Sequence, residues 1–186
     1  MDHFIDVKLL PDPEFPEWVL MRALHNKLHQ MLVRLNKQDV GISFPGYDLK
    51  PKTLGAVMRL HGRHSSLSEV LEAGWLLGMK DYVAPAAIEV APEARRHLLV
   101  KRKQYKTNVD RLRRRRMKRK TETWEQVCKA IPDQQFVKSD LPFISLQSQS
   151  TEQVFNLFIE QLVVSEKQLG VFSSYALSLG ATVPSF

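Results

Sequence analysis

The sequence predicts an α+β fold in two halves, and three observations carry it. Strand-like and helix-like runs interleave over residues 1–92, a break follows at Ala91-Pro92-Glu93, and residues 93–186 alternate less regularly around one cationic helix. A length of 186 residues with 44% hydrophobic content supplies a core for one medium domain or two small ones.

Each element has its own signal. Residues 3–10, HFIDVKLL, are rich in β-formers and stop at Pro11-Asp12-Pro13, so they read as a strand. Over 17–36, Met21, Leu24, Leu28, Met31, Leu32 and Leu35 recur at three- and four-residue spacing, which predicts an amphipathic helix. GISF (41–44) and LGAVMRLHG (54–62) read as strands. Ser66-Leu67-Ser68-Glu69 has the form of a capping box opening a helix through Leu77, closed by Gly78. Residues 80–90 supply a fourth strand that Pro85 confines to an edge. Strand–helix–strand–strand–helix–strand is the ferredoxin-like (RRM-like) order, a frequent RNA-binding scaffold, expected here as a domain over 1–92. The second domain, 93–186, is expected to hold a strand at 96–105, the basic helix from Asn108 and a short helix near 123–130. Strand-like runs follow at 142–148, 153–164 and 170–178.

The net positive charge comes from one segment. Residues 101–120 hold twelve of the 27 Lys and Arg against one acid, a balance of +11, while the remainder balances at −4. Within it RLRRRRMKRK (111–120) places Arg111, Arg114, Arg115 and Lys118 on one helix face, and Val109 and Leu112 on another. Like charges at this spacing repel by a few tenths of a kcal/mol per pair, which a polyanion relieves. A solvated face and a nuclear localisation signal are the alternatives; nucleic acid is the stronger reading. No zipper, zinc finger or clear helix-turn-helix points to DNA. An intact A-form major groove is too narrow to read, but a short hairpin opens it at its end. On a strand, Arg102 and Gln104 would point the same way, and their side chains suit guanine and adenine edges respectively. An exposed polar strand face accounts for them equally well.

Most catalytic classes find no support. The single Cys128 excludes an intrachain disulfide, and no Gly-rich phosphate loop, acid cluster or run of about 20 apolar residues occurs. The N-terminus is too acidic for a signal peptide, so a cytoplasmic protein without membrane attachment is expected. His25 and His29 stand one turn apart without a third ligand, and neither metal nor cofactor is expected. His25 falls inside the apolar stripe and His29 at its margin. One reaction needs little more than such a histidine: RNA carries its own nucleophile, the 2′-hydroxyl, and a base near neutral pKa can deprotonate it.

MDHFID, PDPEFP, KLHQ, GISFP, the arginine helix, IPD, DLPF, SQST, NLFI and the tail GVFSSYALSLGATVPSF together resemble the type I-F CRISPR-associated endoribonucleases along essentially the whole chain. The resemblance implies cleavage of repeat hairpins in precursor CRISPR RNA by 2′-hydroxyl attack, leaving a 2′,3′-cyclic phosphate. It also implies an enzyme that stays on the guide RNA's 3′ hairpin with the other subunits of a surveillance complex. It implies His29 as the catalytic base, Ser148 as the residue orienting the ribose, and Tyr175 as a shaper of the site, with Ser150 and Thr151 close to the RNA. Phe155 would stack on the stem base, Arg102 and Gln104 would read bases, and Arg111, Arg114, Arg115, Lys118, Arg119 and Lys120 would grip the hairpin. Position 118 is Lys where the family pattern has Arg, which keeps charge and loses the two-pronged donor. Position 120 is Lys where the pattern has His, and only Gly170 and Gly180 remain of a glycine-rich loop. A non-cleaving hairpin-binding module of the same fold is the alternative, and a basic DNA-binding regulator a further one.

Overall fold

The computed structural model describes residues 1–105, 109–132, 139–147 and 152–186. In chain order the elements are β1 (His3–Leu9), α1 (Glu17–Arg34), β2 (Gly41–Ser43), β3 (Asp48–Leu49), β4 (Lys52–Thr53), β5 (Val57–Gly62), α2 (His64–Glu72), β6 (Val83–Pro85) and β7 (Glu89–Val90). After them come β8 (Arg96–Lys103), α3 (Val109–Lys120), α4 (Trp124–Ala130), β9 (Phe143–Gln147), β10 (Val154–Val164) and β11 (Val183–Ser185). Helices and antiparallel sheets make the chain α+β.

Two compact units divide it: Met1–Lys103 with Leu141–Phe186, and Gln104–Asp140. The larger holds two main sheets, β2-β5-β1-β6 with β7 also on β1, and β11-β8-β10-β9. Alternation along β1 buries Ile5, Val7 and Leu9, which cluster with Leu24, Leu28 and Leu32 of α1. Leu98, Val100, Ile144 and Val183 join the same buried cluster, so this core draws on both sides of residue 92. The C-terminal segment also lies against β2. A Cβ on Gly41 would collide with the Phe172 ring and stand 2.8 Å from Val183 Cγ1, so only glycine fits there.

Four expectations need correction. Helix α2 begins at His64, and Ser66 caps nothing: its hydroxyl donates to Asp39 instead. It ends at Glu72 because Gly74, at φ +63°, turns the chain into the left-handed region. A capping box does occur, at Thr123 and Gln126, opening α4. Residues 170–178 form no strand but a tight turn with one bridge, Phe172 to Ser178, because the Ser173 hydroxyl takes the Tyr175 and Leu177 amides. The run 80–90 is interrupted after Pro85, and β6 and β7 pair with different ends of β1. The short β3–β4 hairpin and β11 had no sequence signal, and Pro184 sits within the latter.

Candidate active site and nucleic-acid interface

Helix α1 carries His29 at the margin of its buried stripe, half-exposed, one turn beyond the fully buried His25. The 173–177 turn meets it from the tail. That turn is pinned on both sides: Ile42 N donates to Ala176 O at 3.0 Å, and Ser178 N donates to Val100 O at 2.7 Å. Ala176 accepts φ +57° to complete it. Two groups thereby reach His29. The Ser174 carbonyl accepts from His29 Nδ1 at 2.9 Å, and the Tyr175 ring stacks on the imidazole with centroids 3.9 Å apart.

The carbonyl decides the tautomer. A carbonyl oxygen can only accept, so Nδ1 carries the proton and the neutral ring keeps its lone pair on Nε2. His25 lies parallel to Tyr175, within 4° at a centroid distance of 6.1 Å. Neither of its ring nitrogens has a hydrogen-bond partner, and burial pushes its pKa down to about 4, opposed weakly by the nearby Tyr175 backbone. It is neutral when His29 would act. Sequence reading chose His29 and Tyr175, and they meet; it missed the Ser174 carbonyl, which no side-chain pattern could reveal.

Arg102 and Phe155 form a second pair. Arg102 projects from β8 opposite Ile159, and its guanidinium carbon lies 5.5 Å from the centroid of the half-exposed Phe155 ring on β10. Strand β8 ends at Lys103, so Gln104 follows it as the first residue of the smaller unit. Ser148, Ser150 and Thr151 lie outside the described residues.

In the smaller unit, α3 spans Val109–Lys120 and separates its cations into two sets. Arg113 is buried and donates twice to the Ile131 carbonyl, at 3.0 and 2.7 Å. Arg116 forms a two-pronged pair with Glu122 at 2.6 and 3.0 Å, which holds the Glu122 carboxyl below its ordinary pKa. These two hold α3 to the segment that follows it. Arg111, Arg114, Arg115, Lys118, Arg119 and Lys120 keep their side chains at least partly in solvent. All six are exposed, and the sequence run alone could not separate them from the structural pair.

Among the described residues no group of three or more His, Cys, Asp or Glu side chains gathers as a metal site, and no helix is long and apolar enough to cross a membrane.

Comparison with known proteins identifies the family. The family described as CRISPR-associated protein (Cas_Csy4) matches residues 4–186. The CRISPR-associated endonuclease Cas6/Csy4 of Pseudomonas aeruginosa (strain UCBPP-PA14) is 42% identical over 188 residues, covering 100% of both chains. The protein of the same name from Escherichia coli (strain UTI89 / UPEC) is 39% identical over 187 residues, again covering 100% of both. A match that runs nearly end to end at this level of identity makes the chain a member of the CRISPR-associated Cas_Csy4 family.

Proposed function

We propose that this chain is a metal-independent endoribonuclease that cuts CRISPR repeat hairpins in precursor RNA and keeps the 3′ hairpin of the guide it makes. The observation that carries the reading is the His29 Nδ1 to Ser174 O hydrogen bond, which leaves Nε2 as the open base. Nε2 takes the proton of the 2′-hydroxyl before the cut. That oxygen attacks the adjacent phosphorus, the bond to the 5′-oxygen of the next nucleotide breaks, and the leaving oxygen takes up a proton. A 2′,3′-cyclic phosphate and a 5′-hydroxyl result. Ser148 would orient the ribose, with Ser150 and Thr151 beside the RNA. The Tyr175 stack fixes the plane of the base.

Arg102 and Phe155 would meet the foot of the stem, with Gln104 reading a neighbouring base, while the exposed cations of α3 grip its phosphates. The strand order β2-β5-β1-β6, with α1 and α2 between strands, supports a ferredoxin-like arrangement over residues 1–92. Family membership supports action in the cytoplasm as a subunit of a type I-F surveillance complex, after processing.

The deciding experiment incubates the protein with repeat hairpins in EDTA. Cleavage there, abolished in His29→Ala while binding persists, supports the reading. Binding without cleavage by the wild-type chain would leave a hairpin-binding module, and displacement of the RNA by excess duplex DNA would favour a DNA-binding regulator.

A further inference from the structure

An apolar cavity opens at the start of α1, within the larger unit. Its volume is about 460 Å³, and Trp18, Met21, Leu54, Pro142, Phe143 and Ile144 line most of it. Met21, Leu54 and Ile144 belong to the core, while Trp18 is 66% and Phe143 50% exposed. Two large rings left in water beside an apolar hollow hold surface that a partner would bury, and such patches mark binding sites. Among the described residues no unpartnered buried polar atom belongs to this wall, so nothing in it orients a small polar molecule. Apolar side chains of a protein fit it better.

The cavity stands apart from the residues assigned to cleavage. Trp18 precedes His29 by eleven residues, about 16 Å along α1. Strand β9 meets the cavity where it begins, at Phe143, and ends at Gln147, next to Ser148 in the chain. The loop that leads into α1 is held in place beforehand. Asp12 Oδ1 accepts from the Glu14 and Phe15 amides, both at 2.8 Å, and the Phe15 ring meets Tyr82 edge-on at 5.7 Å. This loop is PDPEFP, one of the stretches that carry the family resemblance, and no step of the cleavage uses it.

Charge selects the occupant. Asp12, Glu14 and Glu17 lead up to Trp18, and no Lys or Arg occurs between Lys8 and Arg22. Among the described residues none of these three acids makes an ion pair. The β3–β4 hairpin, which reaches the cavity through Lys52 and Thr53, adds Asp48, Lys50 and Lys52, so the rim keeps a balance of −2. Such a rim repels a phosphate backbone and attracts cations. We propose that this cavity docks a protein segment with an apolar face and a basic flank. Its apolar side chains enter beside Trp18, and a Lys or Arg meets Glu17. On the surveillance-complex reading above, on which this inference rests, the segment belongs to a neighbouring subunit of that complex. The contact holds the chain to its assembly independently of the hairpin RNA.

The test removes the RNA tether. The remaining subunits of the complex are assembled on a guide RNA lacking its 3′ hairpin, and the affinity of the added chain is measured. The wild-type chain should bind. Trp18→Ala should weaken that binding about thirtyfold, as loss of a buried aromatic anchor does. Glu17→Lys should weaken it about threefold and lessen its dependence on salt. Both variants should bind and cut a repeat hairpin as wild type does, which also shows them folded. No binding of the wild-type chain to the hairpin-free assembly, or binding indifferent to Trp18, would overturn the docking site. So would tighter binding by Glu17→Lys, since the occupant would then be acidic or a nucleic acid. Self-association of the chain that Trp18→Ala abolishes would overturn it too, by making the occupant a second copy. Weaker hairpin binding by Trp18→Ala would place the cavity in the RNA grip instead. A wild-type chain that docks on the assembly through Trp18 yet cuts no hairpin would overturn the endonuclease reading and support this one.

Discussion

His29 and Tyr175 lie with ring planes 11° apart, although one belongs to the first helix and the other to a turn near the end of the chain. The stack fixes the imidazole plane and the Ser174 carbonyl fixes its proton, so on the proposed reading the base is set before substrate arrives.

Removing the base should stop the chemistry and spare the grip. His29→Ala is expected to lower the single-turnover cleavage rate by roughly 10² to 10⁴ with little change in hairpin affinity. Tyr175→Phe should keep most of the rate, because the ring does the stacking, whereas Tyr175→Ala should lower it at unchanged affinity. A Tyr175→Ala enzyme as fast as wild type would show that the stack orients nothing.

The two sets of cations on α3 should respond differently. Neutralising Arg114, Arg115 or Arg119 is expected to flatten the dependence of log affinity on log salt by about one for each phosphate the variant no longer neutralises. Arg113→Ala instead should destabilise the smaller unit by about 1–3 kcal/mol, because it removes donors from the Ile131 carbonyl. Salt titrations and thermal unfolding of the same variants separate these outcomes.

Acid should unfold the larger unit through its buried histidines. Burial lowers the pKa of His25 to about 4 and of His61 to about 3, from 6.5. Below 6.5 the unfolded chain therefore binds protons that the folded chain refuses, and stability falls with it. Their contribution is whole above pH 6.5 and is lost as pH drops through about 4 and then 3. His25→Phe should flatten the upper part of that loss in melts taken from pH 7 downwards.

Gly41→Ala tests the tail's attachment. Its Cβ would collide with Phe172, three residues before Tyr175, at a cost of about 1–3 kcal/mol in stability. Cleavage should fall with it, since Phe172 leads directly into the turn that holds Ser174. A stable Gly41→Ala protein with full activity would show the turn to be independent of this packing.

Arg102→Ala or Gln104→Ala should cost about 1–3 kcal/mol and relax preference at one base position. Binding assays with single-base hairpin variants measure this. Uniform weakening toward all of them would mean contacts to the backbone only.

Periodicity made α1 legible to within two residues, and the arginine run made α3 legible as a helix, because both signals are local. The capping box at Ser66 failed because a tertiary partner, Asp39, took the hydroxyl, and the strand expected at 170–178 failed because Ser173 folded the backbone on itself. Strand β11 was invisible: three residues including a proline carry no pattern, and its pairing with β8 is set across the fold. The same holds within the site. His29 stood out as a polar residue at the edge of an apolar stripe, while its carbonyl partner has no side-chain signature at all.

The hydrogen bond that sets His29 spans 145 positions of sequence. During synthesis the helix bearing the histidine emerges long before the turn that completes it, and the turn is held only once β2 and β8 are both in place to receive it. A chain without that turn has an unaimed imidazole. On the proposed reading, competence to cut therefore depends on a contact between distant parts of the chain and not on the first helix alone.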